Sequence, residues 1–270
     1  MELTPREQAM LREMGVDWPV LAPPAALPGP VAIAPSAPIP VAVAPTPPPK
    51  AVASADWASA DWPALQDQVA HCQRCGLCQT RRKTVFGVGH PRAHWMILGE
   101  APGEQEDRLG EPFVGPAGQL LDRMLASIGL SRSAEERQEV QRGVPDAAAP
   151  AGRVFITNTV KCRPPQNRNP QPEELAACAP VLQRQIELVR PRLLLAMGRF
   201  AAQQLLATEE PIGRLRGRVH RLPTGFQPSG VPVVVTYHPA YLLRNPADKA
   251  KAWDDLCLAM DTVSSAPSNR

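Results

Sequence analysis

Three short apolar runs in this chain, His94–Leu98, Arg153–Ile156 and Pro232–Tyr237, each lead into a segment dense in polar residues, glycine or proline. Those segments are GEAPG (Gly99 to Gly103), ITNTVKCRPPQNR (Ile156 to Arg168) and HPAYLLR (His238 to Arg244). A fourth run, Arg192–Met197, has the same strand-like character. Between the runs lie stretches with apolar residues at helical spacing: Pro63–His71, Ala117–Ile128, Pro172–Val189, Phe200–Ala207 and Asp248–Val263. Strand and helix in alternation predict an α/β fold, a parallel sheet with helices on both faces. In such a sheet the carboxyl ends of the strands share one rim, and ligands bind there. Residues far apart in sequence are thereby expected to converge.

The rest of the chain divides by composition. Residues 21–49 hold 11 prolines and no charge, which cannot build a core and reads as an extended linker. Ahead of it, residues 4–14 suit a short helix, with Thr4 as N-cap and Glu7 completing a capping box. The expected organisation is a short helix within 1–20, a disordered Pro/Ala-rich linker over 21–62, a domain over 63–264 and a flexible 265–270. Residues 131–152, polar and rich in Ala and Pro, read as a surface insertion in that domain. Net charge is +3 but uneven: residues 1–63 carry three basic and six acidic side chains, the remainder 26 basic and 20 acidic. A mildly basic domain suits a polyanionic partner without requiring one. No stretch approaches the roughly 20 apolar residues of a membrane span, and the first residues lack an apolar signal core. A cytoplasmic protein without membrane contact is expected.

In that reducing compartment cysteines serve as ligands or buried thiols more than as disulfides. Cys72 and Cys75 form a C-x2-C pair, Cys78 follows at the same spacing, and Cys162 and Cys178 lie far downstream. Arg74, Arg81, Lys161 and Arg163 flank them. Thiolates need cationic or metal stabilisation, and four of them suit either zinc or an iron–sulfur cluster. Cys257, within an apolar helix face, reads as a buried thiol.

Each polar motif has a chemical reading and a plainer structural one. GEAPG sets Glu100 among small residues where backbone N–H groups can approach a ligand, or it is an ordinary βα turn. The EQED that follows (Glu104 to Asp107) adds carboxylates able to orient water. Phe113, in the loop PFVG (Pro112 to Gly115), is either a core plug or a platform for stacking a base. Asn158 ends a strand with an amide that can donate and accept at once, as reading a pyrimidine edge requires; it could equally cap a turn. Lys161, Arg163 and Arg168 suit phosphate contacts or a solvated loop face. His238 can donate to a ligand oxygen. Leu242 and Leu243 beside Arg244 suit an apolar wedge in a base stack, or the first turn of a buried helix.

Together these residues resemble the family-four uracil-DNA glycosylases, the iron–sulfur branch of the uracil-DNA glycosylase superfamily. GEAPGEQED, GEPFVGPAGQLLDRML, ITNTVKCRPPQNRNP, LRGR (Leu215 to Arg218) and HPAYLLR fit in order, from about Gln66 to Leu258. The resemblance implies a three-layer α/β/α sandwich around a four-stranded parallel sheet, and a hydrolase that releases uracil from DNA to initiate base excision repair. It implies one structural 4Fe-4S cluster on Cys72, Cys75, Cys162 and Cys178, leaving out Cys78. Phe113 would stack on the flipped base, Asn158 would read its edge, and His238 would bond its O2. Glu100, Glu106, Asn167 and His238 become the catalytic set, with Glu106 or Asn167 placing water and the two restricting the pocket near C5. Gly99, Ala101 and Gly103 join Phe113 and Asn158 around the substrate. Lys161, Arg163, Arg168, Leu242, Leu243 and Arg244 would contact DNA. Ala101 stands where the wider superfamily often has an aspartate, so uracilate is expected to leave before water attacks. PFVG runs through Pro116 straight into AGQLLDRML, without the inserted histidine loop by which one relative traps its product, so ordinary turnover follows. The expected partner is single- or double-stranded DNA, met by a nucleoid-associated monomer; its N-terminal segment reads either as a tether to a replication or repair protein or as a solvated extension.

Overall fold

The computed structural model describes residues 57–132 and 152–265. The expected helix at 4–14, nearly all of the linker and most of the 131–152 insertion lie outside the described residues.

Six strands form one sheet in the order β1-β3-β2-β4-β6-β5. Its centre is four parallel strands, β2 (Trp95–Gly99), β3 (Val154–Asn158), β4 (Leu193–Met197) and β6 (Pro232–Thr236). All four come from the apolar runs seen in the sequence, and 19 of their 20 residues are buried. Strands covered on both faces read as continuous apolar runs, which is why they were legible. Two short antiparallel strands, β1 (Val88–Gly89) and β5 (Val219–Arg221), extend the expected four-stranded sheet to six. At two and three residues they are too short to carry a periodic signal.

Alternate residues of each strand face opposite layers. On one side Ile97, Ile156, Leu195 and Val234 pack under helices α3 (Pro116–Ser127) and α8 (Lys249–Ser265), through Leu121, Met124, Leu125 and Leu256. On the other, Leu98, Phe155, Ala196 and Val235 pack under α4 (Pro172–Val189) and α5 (Arg199–Leu206), through Leu182, Ile186, Ala201 and Leu205. Each fully buried Leu or Ile contributes about 1.5–3 kcal/mol relative to exposure, so both faces hold the sandwich. Helix α1 (Trp62–Ala70), capped by Asp61, rests on α4 through a smaller cluster that includes Trp57, Leu65, Val69 and Val181. Packed residues therefore begin at least as early as Trp57, ahead of the boundary expected at 63. Helices α2 (Glu104–Leu109), α6 (Ile212–Leu215) and α7 (Pro239–Arg244) are short and sit at the rim. No described helix is long and apolar enough to cross a membrane.

The chain runs from β2 outward to β3 and then crosses to β4 on the other side of β2. That reversal opens a crevice beyond the carboxyl ends of the central strands, the usual ligand position in such sheets.

Candidate active site

All four parallel strands deliver residues to one cavity of about 850 Å3 in that crevice. Glu100 follows β2, Asn158 ends β3, Arg199 follows β4 and His238 follows β6. Phe113 enters from the loop between α2 and α3.

That loop is held in an unusual conformation. Phe113 has φ 55, in the left-handed region that bulky L-residues avoid. Glu106, in the first turn of α2, accepts from Gly103 N at 3.1 Å, Val114 N at 2.9 Å and Gly115 N at 3.3 Å. Both its oxygens are therefore engaged by backbone, and it holds the Phe113 loop from the cavity wall. Two glycines admit the turn. A Cβ on Gly118 would collide with the Phe113 carbonyl, and one on Gly99 would strike Asn158 Oδ1 and come within 2.6 Å of Phe113 Cζ.

Asn158 is buried, and among the described residues nothing bonds to its Oδ1. An unpartnered buried amide oxygen in a cavity is an acceptor held ready for a ligand. His238 Nδ1 accepts from Ala240 N at 3.2 Å, which leaves the ring proton on Nε2 in the neutral form. Burial foremost, and then Arg244, push its pKa down to about 4, with Glu106 opposing. The imidazole is thus neutral at ordinary pH. Its ring stacks on Phe113 with centroids 5.4 Å apart. Burial raises the Glu100 carboxyl to about 7, against the pull of Arg199.

Ala101, Gly103, Asn167, Arg168 and Arg244 also line the cavity. Asn167 accepts from Arg163 Nε at 2.7 Å through its Oδ1, so that oxygen too is already engaged. Arg163 lies 3.6 Å from Glu104, and Arg168 forms a 2.6 Å ion pair with Glu174. Two expected DNA contacts are corrected. Lys161 is 2% exposed: its Nζ donates to Thr157 Oγ1 at 2.6 Å and to the Asn158 carbonyl at 2.5 Å. It braces the end of β3 and cannot reach a phosphate. Leu242 is 0% exposed and belongs to the core cluster beside α3, while Leu243 next to it is 44% exposed.

Several neighbours were not foreseen. Tyr237 and Tyr241 stack at 4.8 Å and both line the cavity. The guanidinium of Arg216, from LRGR, lies 4.4 Å over Tyr237 and is bonded to buried Asp255 at 2.8 Å. This braces the residue preceding His238. The aromatic pair in TYHPAY was a visible signal; Arg199, and Arg132 described below, carried none.

Cys72, Cys75, Cys78, Cys162 and Cys178 line a second cavity between α1 and α4. Burial pushes the Cys162 thiol up to about 12 and that of Cys178 up to about 11, so these sulfurs persist as thiolates only beside strong positive charge. Arg81 supplies part of it, donating to Cys162 Sγ at 3.0 Å and to the Cys72 carbonyl at 2.6 Å. Among the described residues no three His, Cys, Asp or Glu side chains converge on a single metal ion. The thiols instead surround a shared space, a donor set that fits a polynuclear cluster with its thiolates on separate irons.

The fold and the first cavity define an α/β class with its candidate site at the carboxyl rim of a parallel sheet. Residues 86–257 match the family model of the uracil DNA glycosylase superfamily. Among curated relatives, the type-4 uracil-DNA glycosylase of Saccharolobus solfataricus is 39% identical over 210 residues, 75% of this chain and 87% of that one. The type-4 enzyme of Archaeoglobus fulgidus is 40% identical over 66% of this chain and 81% of its own, and that of Pyrobaculum aerophilum 38% over 73% and 92%. The chain belongs to the uracil DNA glycosylase superfamily.

Proposed function

We propose that this chain excises uracil from DNA, hydrolysing the N-glycosidic bond of a deoxyuridine turned out of the helix and leaving an abasic site for base excision repair. The observation that carries the reading is the unpartnered Asn158 Oδ1 in the same cavity as a neutral imidazole bearing its proton on Nε2. Uracil offers a donor at N3 and an acceptor at O4, which one primary amide answers with its oxygen and its nitrogen. Cytosine presents the opposite pattern at both atoms. A polar site with such mismatches rejects the wrong ring far better than a shape filter does. Phe113 supplies the stacking face.

As the bond between C1′ and N1 breaks, its electron pair passes to the base and negative charge grows on O2. His238 Nε2–H is the donor for that charge, and such preorganised donors are worth about 2.7–4 kcal/mol. Glu100, with a pKa near 7, stands as the cavity carboxylate whose oxygens are open to water. Its ionised form accepts the proton of the water that adds to C1′, and the released base takes its own proton from solvent. Glu106 and Asn167 act through the loops they hold.

A 4Fe-4S cluster on Cys72, Cys75, Cys162 and Cys178 would supply Lewis-acidic iron to four thiolates as a structural cross-link, with no electron entering the hydrolysis. Arg81 and Lys161 frame that site from the protein side. The enzyme acts as a monomer on single- or double-stranded DNA in the cytoplasm, at the nucleoid, with its N-terminal segment reaching a repair or replication partner.

The test is alkali-induced strand cleavage of a labelled oligonucleotide containing one uracil, with anaerobically purified wild type and His238→Ala. Uracil-dependent cleavage that drops about 100-fold or more in the variant supports the reading. No cleavage by iron-loaded wild type would replace it with a non-catalytic DNA-damage-binding module.

A further inference from the structure

Arg132 lies at the edge of the segment that the sequence presents as a surface insertion, yet its side chain turns inward. The backbone beside it is tied to the sheet by Ser131 N, which donates to Gly152 O at 2.9 Å, and by the bridge between Ser131 and Arg153. From there Nη1 donates to Pro112 O at 2.8 Å and Nη2 to Phe113 O at 2.6 Å. Asp122 on α3 aims the guanidinium, with Oδ2 2.8 Å from Nη2 and Oδ1 2.7 Å from Nε.

The single peptide group joining Phe113 to Val114 is thus gripped at both ends by opposite charges. Arg132 holds its carbonyl oxygen, and Glu106 holds its N–H at 2.9 Å. Rotation of this peptide would change ψ of Phe113 and φ of Val114, and the second Arg132 bond, to Pro112 O, holds the preceding peptide, whose rotation would release Phe113 from φ 55. A guanidinium is well matched to this grip, since its planar fork of five N–H donors serves two adjacent carbonyls and both oxygens of a carboxylate at once, four contacts where an ammonium has three donors.

We propose that Arg132 is a positioning residue for excision, setting through the Phe113–Val114 peptide the place of the ring on which the base stacks. The inference rests on the uracil-excision reading. The role lies outside the strand-end motifs and comes from a residue in a polar stretch that carries no motif.

The experiment compares wild type, Arg132→Met, Arg132→Lys, Phe113→Ala and the double variant Phe113→Ala/Arg132→Met. It measures single-turnover uracil release at saturating DNA, DNA affinity, thermal unfolding and amide exchange at Val114 and Gly115. Misplacement of a stacking group by a fraction of an ångström predicts a loss on the order of 10- to 100-fold in Arg132→Met, with DNA affinity within about twofold. Arg132→Lys should fall between Arg132→Met and wild type. The Phe113→Ala background is the discriminating arm, since an effect transmitted through that ring shrinks there to about threefold or less. Equal losses in both backgrounds, or a full rate in Arg132→Met, overturn the proposal. If Arg132→Met fails to fold, Asp122→Asn removes the aiming carboxylate alone and should lower the rate in the same direction; an unchanged rate counts against the clamp. Should wild type itself release no uracil, the excision reading fails separately, and faster exchange at Val114 and Gly115 in the Arg132 variants still decides whether the clamp exists.

Discussion

The amide of Ala240 donates to His238 Nδ1 at 3.2 Å, and that one bond fixes which nitrogen of the imidazole faces the ligand. Ala240 lies in the first turn of α7, where backbone N–H groups have no helical partner of their own. The helix start thus assigns the tautomer, and burial keeps the ring neutral. Neither effect is written in the histidine itself.

A neutral donor is therefore expected across the working range. With its pKa pushed down to about 4, His238 should show no transition between pH 5 and 8 when its ring resonances are followed by NMR and assigned by difference from His238→Gln. The same shift has a stability sign. As pH falls below the ordinary value of 6.5 the unfolded imidazole takes a proton that the folded one refuses, so stability is lost between 6.5 and about 4. A ring transition near 6.5 would remove the neutral-donor account.

Glu100 titrates in the opposite sense. Its folded pKa of about 7 lies above the ordinary 4.5, so the folded state binds its proton more tightly than the unfolded chain. The stabilisation this gives is fully present below pH 4.5 and is lost as pH rises through 7. Relative to wild type, Glu100→Gln should gain thermal stability steadily over that window and hold a constant advantage above it. Excision by wild type should rise through pH 7, and the variant should lack that inflection. Parallel melting curves at all pH values would show the carboxyl to be unperturbed.

Leu242 and Leu243 separate fold from function. Leu242 is fully buried, and Leu242→Ala should cost about 2–5 kcal/mol of stability. Leu243, exposed beside Arg244, should tolerate Leu243→Ala within about 0.5 kcal/mol, yet lose excision from duplex substrates more than from single strands. Equal activity of Leu243→Ala on both substrates would take it out of DNA contact.

Removal of the proposed cluster should be felt at a distance. Cys162→Ala is expected to lose iron and visible absorbance and to lower the melting temperature by several degrees. A variant that keeps full iron and wild-type melting would place the ligands elsewhere, with Cys78 the first alternative, since it lines the same cavity.

The apolar strands and the ends they present could be read from the sequence, because burial on both faces writes itself as unbroken Val, Leu and Ile. Side-chain destination could not. Lys161 and Arg163 stand two apart in one motif, yet the first turns under β3 and the second lies on the surface loop. Leu242 and Leu243 are adjacent on a helix, where successive residues point about 100° apart, so only one of them enters the core. The bonds of Glu106 to backbone amides were not legible, because they depend on a loop conformation that no local pattern encodes. Arg132 was hidden for a related reason: its partners lie 10 to 20 residues upstream, and the residues after it carry only the composition of a surface segment.

The order of the strands has one more implication, for a chain still on the ribosome. Strand β6, whose end carries His238, slots between β4 and β5 only after every other strand of the sheet has been made. The loop holding Phe113 and the strand holding Asn158 both precede it, so the residues proposed to receive the base are synthesised well before the proposed donor to its O2. A polypeptide ending before residue 238 lacks α7 and α8 as well as His238, and with α8 much of the cover on one face of the sheet.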